Sequence, residues 1–252
     1  ATLIYGERDA VLVDALLTVA QAHALGEWIE AHGKRLTTIY ATHGHGDHFF
    51  GATTLLQRFP RARLVATPEV VETMRQQAAP PFLASFWESR FPGQLADQLV
   101  LAEALTENVL DLEGHELVVV PLGHTDMDHT TGLYVPSLGL VVAGDAAYND
   151  VHLFLAESNA HTRREWLAAL DTIEALHPRV VIAGHKRPGV DDDPRIINET
   201  RQYIRDFDRL VGTTATAREL YDQMLLLYPE RVNPGALWSS VSALKPEEGQ
   251  TA

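Results

Sequence analysis

The run His43-Gly44-His45-Gly46-Asp47-His48 constrains this chain more than any other feature, because it places four metal-binding side chains within six residues. It follows a β-rich segment, residues 37–42. If that segment stays extended, His43 and His45 point the same way and can share one cation. Asp47 and His48 lie where the chain turns and can face a second cation. The run therefore predicts a metal site.

The chemistry of the donors narrows the choice of metal. The sequence contains no cysteine, so any metal must be held by histidine, aspartate and glutamate. Imidazoles and carboxylates suit zinc, and they also suit iron, manganese or cobalt.

Three further chelating side chains have the same local context. Each follows a β-rich apolar run with a glycine beside it, and they are His124, Asp145 and His185. We therefore expect each to lie at the end of a strand. Strand ends at one edge of an α/β sheet are the usual place for ligands and catalysis, so these side chains and the histidine run can converge on one point.

Strands alternate with helices along the whole chain, which predicts a layered α/β architecture in a single domain over residues 1–252. The predicted strands cover residues 2–6, 10–14, 37–42, 64–67, 109–112, 116–121, 133–135, 138–143 and 179–183. The predicted helices cover residues 18–31, 51–59, 69–77, 163–176, 194–211 and 217–227. The last two helices belong to a helical carboxyl-terminal extension, residues 194–252.

Residues 78–98 differ from the rest because they are rich in aromatic side chains, and their apolar residues follow neither helical nor strand spacing. Phe82, Phe86 and Trp87 lie here. The segment is predicted to be either a lid insertion over a site or a packed loop that covers the core. Hydrophobic residues here or in the tail would serve a homodimer contact as readily as a pocket.

The charge balance excludes some partners. The chain has 34 acidic and 20 basic residues and a formal charge of −14, which repels nucleic acid and disfavours polyanionic substrates. No apolar stretch approaches the roughly 20 residues that a membrane-spanning helix needs. The amino end lacks a signal-peptide pattern, so we expect a cytoplasmic protein that acts on a small molecule. The chain begins inside a predicted strand, so upstream residues are expected to be missing and the location stays open.

The histidine run and the three downstream residues together resemble the signature of the metallo-β-lactamase superfamily in order, spacing and strand context. The resemblance implies a four-layer αββα sandwich with two metal ions, usually zinc. It assigns the first metal to His43, His45 and His124. It assigns the second to Asp47, His48 and His185, and it makes Asp145 the bridge between the two.

The resemblance also implies a hydrolytic mechanism. Two cations lower the pKa of a bridging water and supply hydroxide as the nucleophile, while Asp47 ligates metal and accepts the proton that passes to the leaving group. The run Asp145-Ala146-Ala147-Tyr148 is similar to one in acyl-homoserine lactonases, where a tyrosine hydroxyl hydrogen-bonds the substrate. A tyrosine packed on the strand edge is the alternative for Tyr148.

Four residues near these motifs have two interpretations each. Asp14 resembles the family's aspartate that orients a ligand imidazole, and the alternative is a solvated turn residue. Asn149 and His152 either line the pocket or cap the loop. His129 is expected beside the site or on the surface rather than as a ligand.

The sequence constrains the substrate less than it constrains the fold and the metal site. An aspartate at position 145 argues against the better-known β-lactamases. We expect hydrolysis of a small, uncharged or modestly polar lactone, ester or lactam, because of Tyr148 and the aromatic insertion. The alternative is a thioesterase similar to glyoxalase II, in which tail residues contact an anionic thiol conjugate. Those tail residues are Lys186, Arg187, Arg195, Arg201, Tyr203 and Arg205. An iron-dependent sulfur dioxygenase and a non-catalytic metal-binding protein are less favoured.

Overall fold

The computed structural model describes residues 1–245. The chain divides into two compact units. Of the described residues, the first unit contains 1–121 and 131–137, and the second contains 122–130 and 138–245. The expectation of one domain stays a prediction, and the part of the predicted extension beyond residue 245 lies outside the described residues. Within residues 1–245, no helix combines the length and the apolarity that crossing a bilayer requires.

A five-stranded sheet, in the order β1-β2-β3-β4-β5, organises the first unit. Its first two strands are antiparallel, and each later strand pairs in parallel with the one before it. The strands are β1 (Thr2–Tyr5), β2 (Asp9–Val13), β3 (Arg35–Tyr40), β4 (Arg63–Ala66) and β5 (Glu103–Ala104). The two-residue strand β5 was not predicted, since two residues are too few to show a period.

Helices connect the parallel strands of this sheet. They are α1 (Val19–Ala31), α2 (Gly46–Phe49), α3 (Ala52–Arg58), α4 (Pro68–Gln77), α5 (Pro80–Phe82) and a π-helical turn, Leu83–Glu88. A capping box starts α1, because the Thr18 side chain accepts from the Gln21 amide and the Gln21 side chain accepts from the Thr18 amide. Pro68 occupies the first turn of α4, where no amide hydrogen is needed.

Three further strands of the first unit are neighbours in the order β6-β7-β8. They are β6 (Val109–Leu112), β7 (His115–Gly123, which runs into the second unit at its end) and β8 (Thr130–Val135). β6 and β7 pair antiparallel, with Leu110 opposite Leu117.

The aromatic segment packs on the core of the first unit. Trp87 is 6% exposed and its indole nitrogen donates to Gln77 Oε1 at 2.9 Å. Phe82, Phe86 and Phe91 are partly buried against the same core. Residues 80–88 form helical turns rather than the loop of that alternative, although Trp87 does pack on the core. The role of a lid stays a prediction.

The second unit contains β9 (Leu140–Asn149) and β10 (Val180–Lys186), which pair in parallel. Its helices are α6 (Thr162–Ala175), α7 (Arg195–Val211), α8 (Ala217–Leu227) and α9 (Pro234–Leu244). The prediction of only two tail helices is wrong. Pro234 lies at the first turn of α9, where proline starts a helix, and was interpreted instead as the end of helical structure.

One of the predicted strand-end positions is also wrong, because Asp145 lies in the middle of β9. His185 lies one residue before the end of β10, and His124 directly follows β7 as expected. The fold class, a mixed α/β arrangement of strands and helices, is as predicted.

Candidate metal centre

The register of two parallel strands brings Asp14 beside the histidine run in the first unit. β2 and β3 pair with Val13 opposite Tyr40, so the residues that follow each strand meet at the same sheet edge. The Asp14 amide donates to the Tyr40 carbonyl at 2.8 Å, and the Thr42 amide donates to Asp14 Oδ1 at 2.9 Å. Asp14 has a φ of 61°, in the left-handed region that aspartate tolerates better than most residues.

Asp14 holds the imidazole of His48. Its Oδ2 lies 2.8 Å from His48 Nδ1, and both side chains are buried. Burial by itself would raise the pKa of Asp14. The charge and hydrogen bond of His48, with the charge of His43 and the Thr42 amide, nevertheless keep that pKa below its ordinary value. Asp14 is therefore a carboxylate that only accepts hydrogen bonds, so His48 carries its hydrogen on Nδ1 and Nε2 is the nitrogen suited to a metal.

The hydroxyl of Thr42 links Asp14 to His43 and so fixes the orientation of that imidazole as well. Thr42 Oγ1 lies 3.0 Å from Asp14 Oδ2 and 3.0 Å from His43 Nδ1. Since a carboxylate cannot donate, the hydroxyl donates to Asp14 and accepts from His43 Nδ1. Thr131 fixes Thr42 in turn, because its amide and hydroxyl both donate to the Thr42 carbonyl, at 3.0 and 2.6 Å.

The side chains of the histidine run are close together, although the backbone is not extended there. Residues 42–44 bend, and α2 begins at Gly46, so the expected extended geometry is wrong. The ring centroids of His43 and His45 are still 5.1 Å apart, and those of His43 and His48 are 4.0 Å apart. Asp47 is partly exposed, with Oδ2 3.7 Å from His48 Nε2. The first unit thus presents three imidazoles and a carboxylate in one cluster.

A glycine is required inside this cluster. A Cβ atom on Gly44 would lie 2.2 Å from Thr73 Oγ1 and 2.9 Å from the Thr73 backbone carbon on α4. The histidine run can therefore pass over α4 only without a side chain at this position.

In the second unit, a bulge in β9 turns Asp145 out of the strand ladder. Ala183 pairs with Gly144 and His185 pairs with Tyr148, so two steps along β10 match four along β9. Bulges of this kind re-aim side chains beside functional sites. The Asp145 carboxylate occupies the space above Gly184, where an added Cβ would lie 2.1 Å from Oδ1.

Buried Asp145 and Tyr148 and the partly exposed His185 form a group on the bulge. The Tyr148 hydroxyl donates to Asp145 Oδ2 at 2.7 Å, and His185 Nε2 lies 3.2 Å from the same oxygen. The Tyr148 ring stacks on His185 with centroids 5.6 Å apart, and only 1% of Tyr148 is exposed. Thr200 of α7 binds both backbone groups of Tyr148, which secures the bulge.

His124 is anchored by a carboxylate that the sequence analysis missed. Its Nδ1 lies 2.5 Å from Asp128 Oδ1. Its Nε2 is buried and has no hydrogen-bond partner among residues 1–245. A buried nitrogen of this kind, in a chain whose only candidate donors are nitrogen and oxygen atoms, fits a zinc-type metal ligand.

Three further candidates belong to the second unit. His152 is buried, with Nδ1 2.9 Å from the Tyr203 hydroxyl, and burial and the charge of Arg231 lower its pKa to about 4. Asn149 donates to the Asp191 carbonyl. His129 is exposed and has a φ of 61°. Asn149 thus stabilises a loop, and His152 is a buried structural contact.

Three residues beside the candidate ligands of the two units were not singled out from the sequence. Thr42 directly precedes the histidine run, so its position was a usable signal. Asp128 follows His124 by four residues, within a loop whose conformation has no period. Asp126, in the same loop, is fully buried and accepts from the Thr125 hydroxyl at 2.8 Å.

Most of the basic side chains that were predicted to contact an anionic thiol conjugate form ion pairs with carboxylates. Lys186 contacts Asp192 at 2.9 Å, and Arg187 contacts Asp150 at 2.7 Å. Arg201 is 7% exposed and contacts Asp171 and Glu174, both at 2.8 Å. Arg195 contacts Asp191, Asp193 and Glu199. Tyr203 is buried, and Arg205 is exposed.

Comparison with known proteins identifies the family. The sequence matches the family model of the metallo-beta-lactamase superfamily over residues 1–185, and the chain therefore belongs to this superfamily. It is 41% identical over 59 residues to a hydroxyacylglutathione hydrolase of Synechococcus sp. (strain CC9902). That match covers 23% of this chain and 22% of the length of that protein.

Solved structures confirm the fold. A metallo-beta-lactamase family protein from Thermus thermophilus matches with a TM-score of 0.70 and 23% identity, over 96% of this chain and 85% of that chain. The metallo-beta-lactamase FIM-1 from Pseudomonas aeruginosa, in a mono-zinc form, matches with a TM-score of 0.61 and 18% identity, over 81% and 82%. The predicted metallo-β-lactamase fold is thus confirmed, and identities this low carry no further conclusion.

Proposed function

We propose that this member of the metallo-β-lactamase superfamily is a binuclear metal-dependent hydrolase that cleaves a small lactone, ester or lactam. One observation supports the proposed metal dependence. In His43, His48 and His124, Nδ1 is hydrogen-bonded to an oxygen atom within 3.0 Å, which reserves Nε2 of each ring for a cation. Histidines that only fill space in a core would have no reason to share a hydrogen bond at Nδ1 in all three rings.

The proposed assignment of ligands follows the superfamily pattern. His43, His45 and His124 would hold one metal, Asp47, His48 and His185 would hold the other, and Asp145 would serve as a ligand to both. We propose zinc for both, with iron, manganese or cobalt as the other ions that this donor set accepts. The mono-zinc form of the FIM-1 enzyme supports zinc as a metal that this fold can hold.

Bound metals would supply a water of lowered pKa and a Lewis acid for the substrate carbonyl. The side chains contribute orientation and proton transfer. Asp47 is partly exposed beside His48, so it can accept a proton and pass it to a leaving group. Tyr148 stabilises the Asp145 carboxylate through its hydroxyl. The contact of Tyr148 with substrate stays a prediction.

The charges support a substrate without strong negative charge. The chain carries −14 overall, and four cations of the tail, Lys186, Arg187, Arg195 and Arg201, already contact carboxylates. Recruiting them to an anionic substrate would require breaking those pairs. A small neutral acyl compound needs no such rearrangement.

The second candidate is a thioesterase of the hydroxyacylglutathione type. The local identity of 41% to the Synechococcus enzyme favours it. The paired cations argue against it, and Arg205 is the exposed tail cation for which the described residues show no ion pair. Its substrate would therefore bind through contacts other than those predicted from the tail.

A substrate panel separates the candidates. Metal-loaded protein is assayed with lactones, aryl esters, lactams and S-lactoylglutathione, and the Asp47→Ala variant is the control for contaminating activity. We expect turnover of a neutral acyl compound that Asp47→Ala abolishes. A higher kcat/KM for the glutathione thioester would establish the second candidate, and no turnover of any member would contradict the proposed hydrolase.

A further inference from the structure

The loop after β7 contains a carboxylate with an unusual position. Asp128 is exposed over 70% of its side chain, yet its Oδ1 lies 2.5 Å from Nδ1 of His124, whose side chain is 8% exposed. An exposed carboxylate thus contacts Nδ1 of a buried imidazole. The pair lies four residues apart in one loop, and both residues belong to the second unit.

We propose that Asp128 is a positioning residue that sets the tautomer of His124 and, through it, the affinity of this ligand for metal. The inference rests on the proposed metal-dependent function. Oδ1 of Asp128 lies 2.5 Å from Nδ1 of His124, and a carboxylate oxygen accepts hydrogen bonds, so His124 carries its hydrogen on Nδ1. Nε2 then keeps its lone pair, and this is the buried nitrogen without a partner among residues 1–245.

Glu165, the other carboxylate of the groove that Asp128 lines, does not contact His124. Asp128 and His124 line an open groove of about 380 Å³ with Gly123, His129, Glu165 and Thr172. Glu165 contacts His161, at 3.4 Å, rather than His124. Removing the Asp128 carboxylate therefore leaves His124 Nδ1 facing solvent. The ring then loses both its preferred tautomer and its fixed orientation.

Glu165 provides a matched control. It is an acidic residue in the same groove, so Glu165→Gln changes the local charge as Asp128→Asn does. Only Asp128 is hydrogen-bonded to His124. If only the negative charge of the groove mattered for metal binding, both variants would weaken it alike. If the hydrogen bond to His124 matters, only the change at residue 128 weakens it.

The test combines two measurements on the full chain. The first is the tautomer of His124 by nitrogen NMR in metal-free protein, and the second is zinc affinity by competition with a chelator. We expect wild type and Glu165→Gln to show hydrogen on Nδ1. We expect Asp128→Ala to shift His124 towards hydrogen on Nε2 and to weaken binding of one zinc equivalent about 10- to 100-fold. Asp128→Asn, which keeps a neutral acceptor, should lie between them.

Two results would overturn the inference. One is an unchanged tautomer in Asp128→Ala, and the other is an affinity loss of the same size in Glu165→Gln. The proposed function fails differently, since it fails if wild-type protein binds no zinc, manganese, iron or cobalt. In that case the proposed link from Asp128 to metal affinity is overturned too, and the NMR result still shows whether Asp128 sets the tautomer.

Discussion

Asp14 Oδ2 lies 2.8 Å from His48 Nδ1, and both side chains are buried in the first unit. The same carboxylate reaches His43 through the hydroxyl of Thr42. One aspartate at the end of β2 therefore orients two imidazoles of the histidine run. This explains why a charged side chain is buried here, since its two oxygens accept from Thr42 and His48.

Asp14→Asn should weaken zinc binding about 10- to 100-fold while preserving the fold. Asparagine tolerates the φ of 61° at this position but removes the charge that favours hydrogen on His48 Nδ1. Competition with a chelator measures the affinity. The control is Asp9→Asn, at the start of β2, because the Asp9 carboxylate contacts the exposed Arg35. Equal affinities for wild type and Asp14→Asn would show that Asp14 does not orient a ligand.

Gly184→Ala should displace Asp145, because the added Cβ would lie 2.1 Å from its Oδ1. We expect a decrease in the free energy of unfolding of about 1 to 3 kcal/mol and a loss of zinc affinity. Gly212→Ala is the matched control, since its nearest neighbouring atom is 3.6 Å away. Chemical denaturation and zinc titration of both variants check the prediction. Wild-type behaviour of Gly184→Ala would mean that Asp145 has room to move.

Tyr148→Phe should lower both the hydrolysis rate and the zinc affinity several-fold. The variant removes the hydroxyl that donates to Asp145 Oδ2 and leaves the buried carboxylate without that donor. Rates and affinities are measured on the same preparation, with Tyr221→Phe, at a site that packs on Trp238, as the control. A lower rate with unchanged zinc affinity would instead assign the hydroxyl to substrate.

The stability of metal-free protein should decrease on mild acidification because of His152. Burial and the charge of Arg231 lower its pKa from 6.5 to about 4. The unfolded chain binds a proton near pH 6.5 and the folded chain does not, so this contribution is present above pH 6.5 and is lost as the pH falls towards 4.

Denaturation at pH 7 and pH 5 measures this effect. The decrease in unfolding free energy should be about 1 to 2 kcal/mol larger in wild type than in His152→Gln. His161→Gln, at an exposed histidine, should behave as wild type. Equal decreases in wild type and His152→Gln would contradict the assignment to His152.

The sequence predicted elements whose signals are local. Apolar spacing located α1, and β-rich composition located β3 just before His43. The bulge that turns Asp145 outward was not predictable, because it depends on how β9 pairs with β10 about 40 residues later. The contact of Asp128 with His124 depends on the conformation of a loop, and no periodic pattern in the sequence predicts that conformation. Pro234 was misinterpreted because proline both ends helices and begins them.

The central claim is that metal bound by these residues carries out hydrolysis. The most direct measurement is elemental analysis of the purified chain together with its hydrolysis rate as zinc is added to metal-free protein. We expect the rate to rise with bound zinc, to saturate at two equivalents per chain and to return to zero with a chelator. Full activity in protein verified to be free of metal would contradict it.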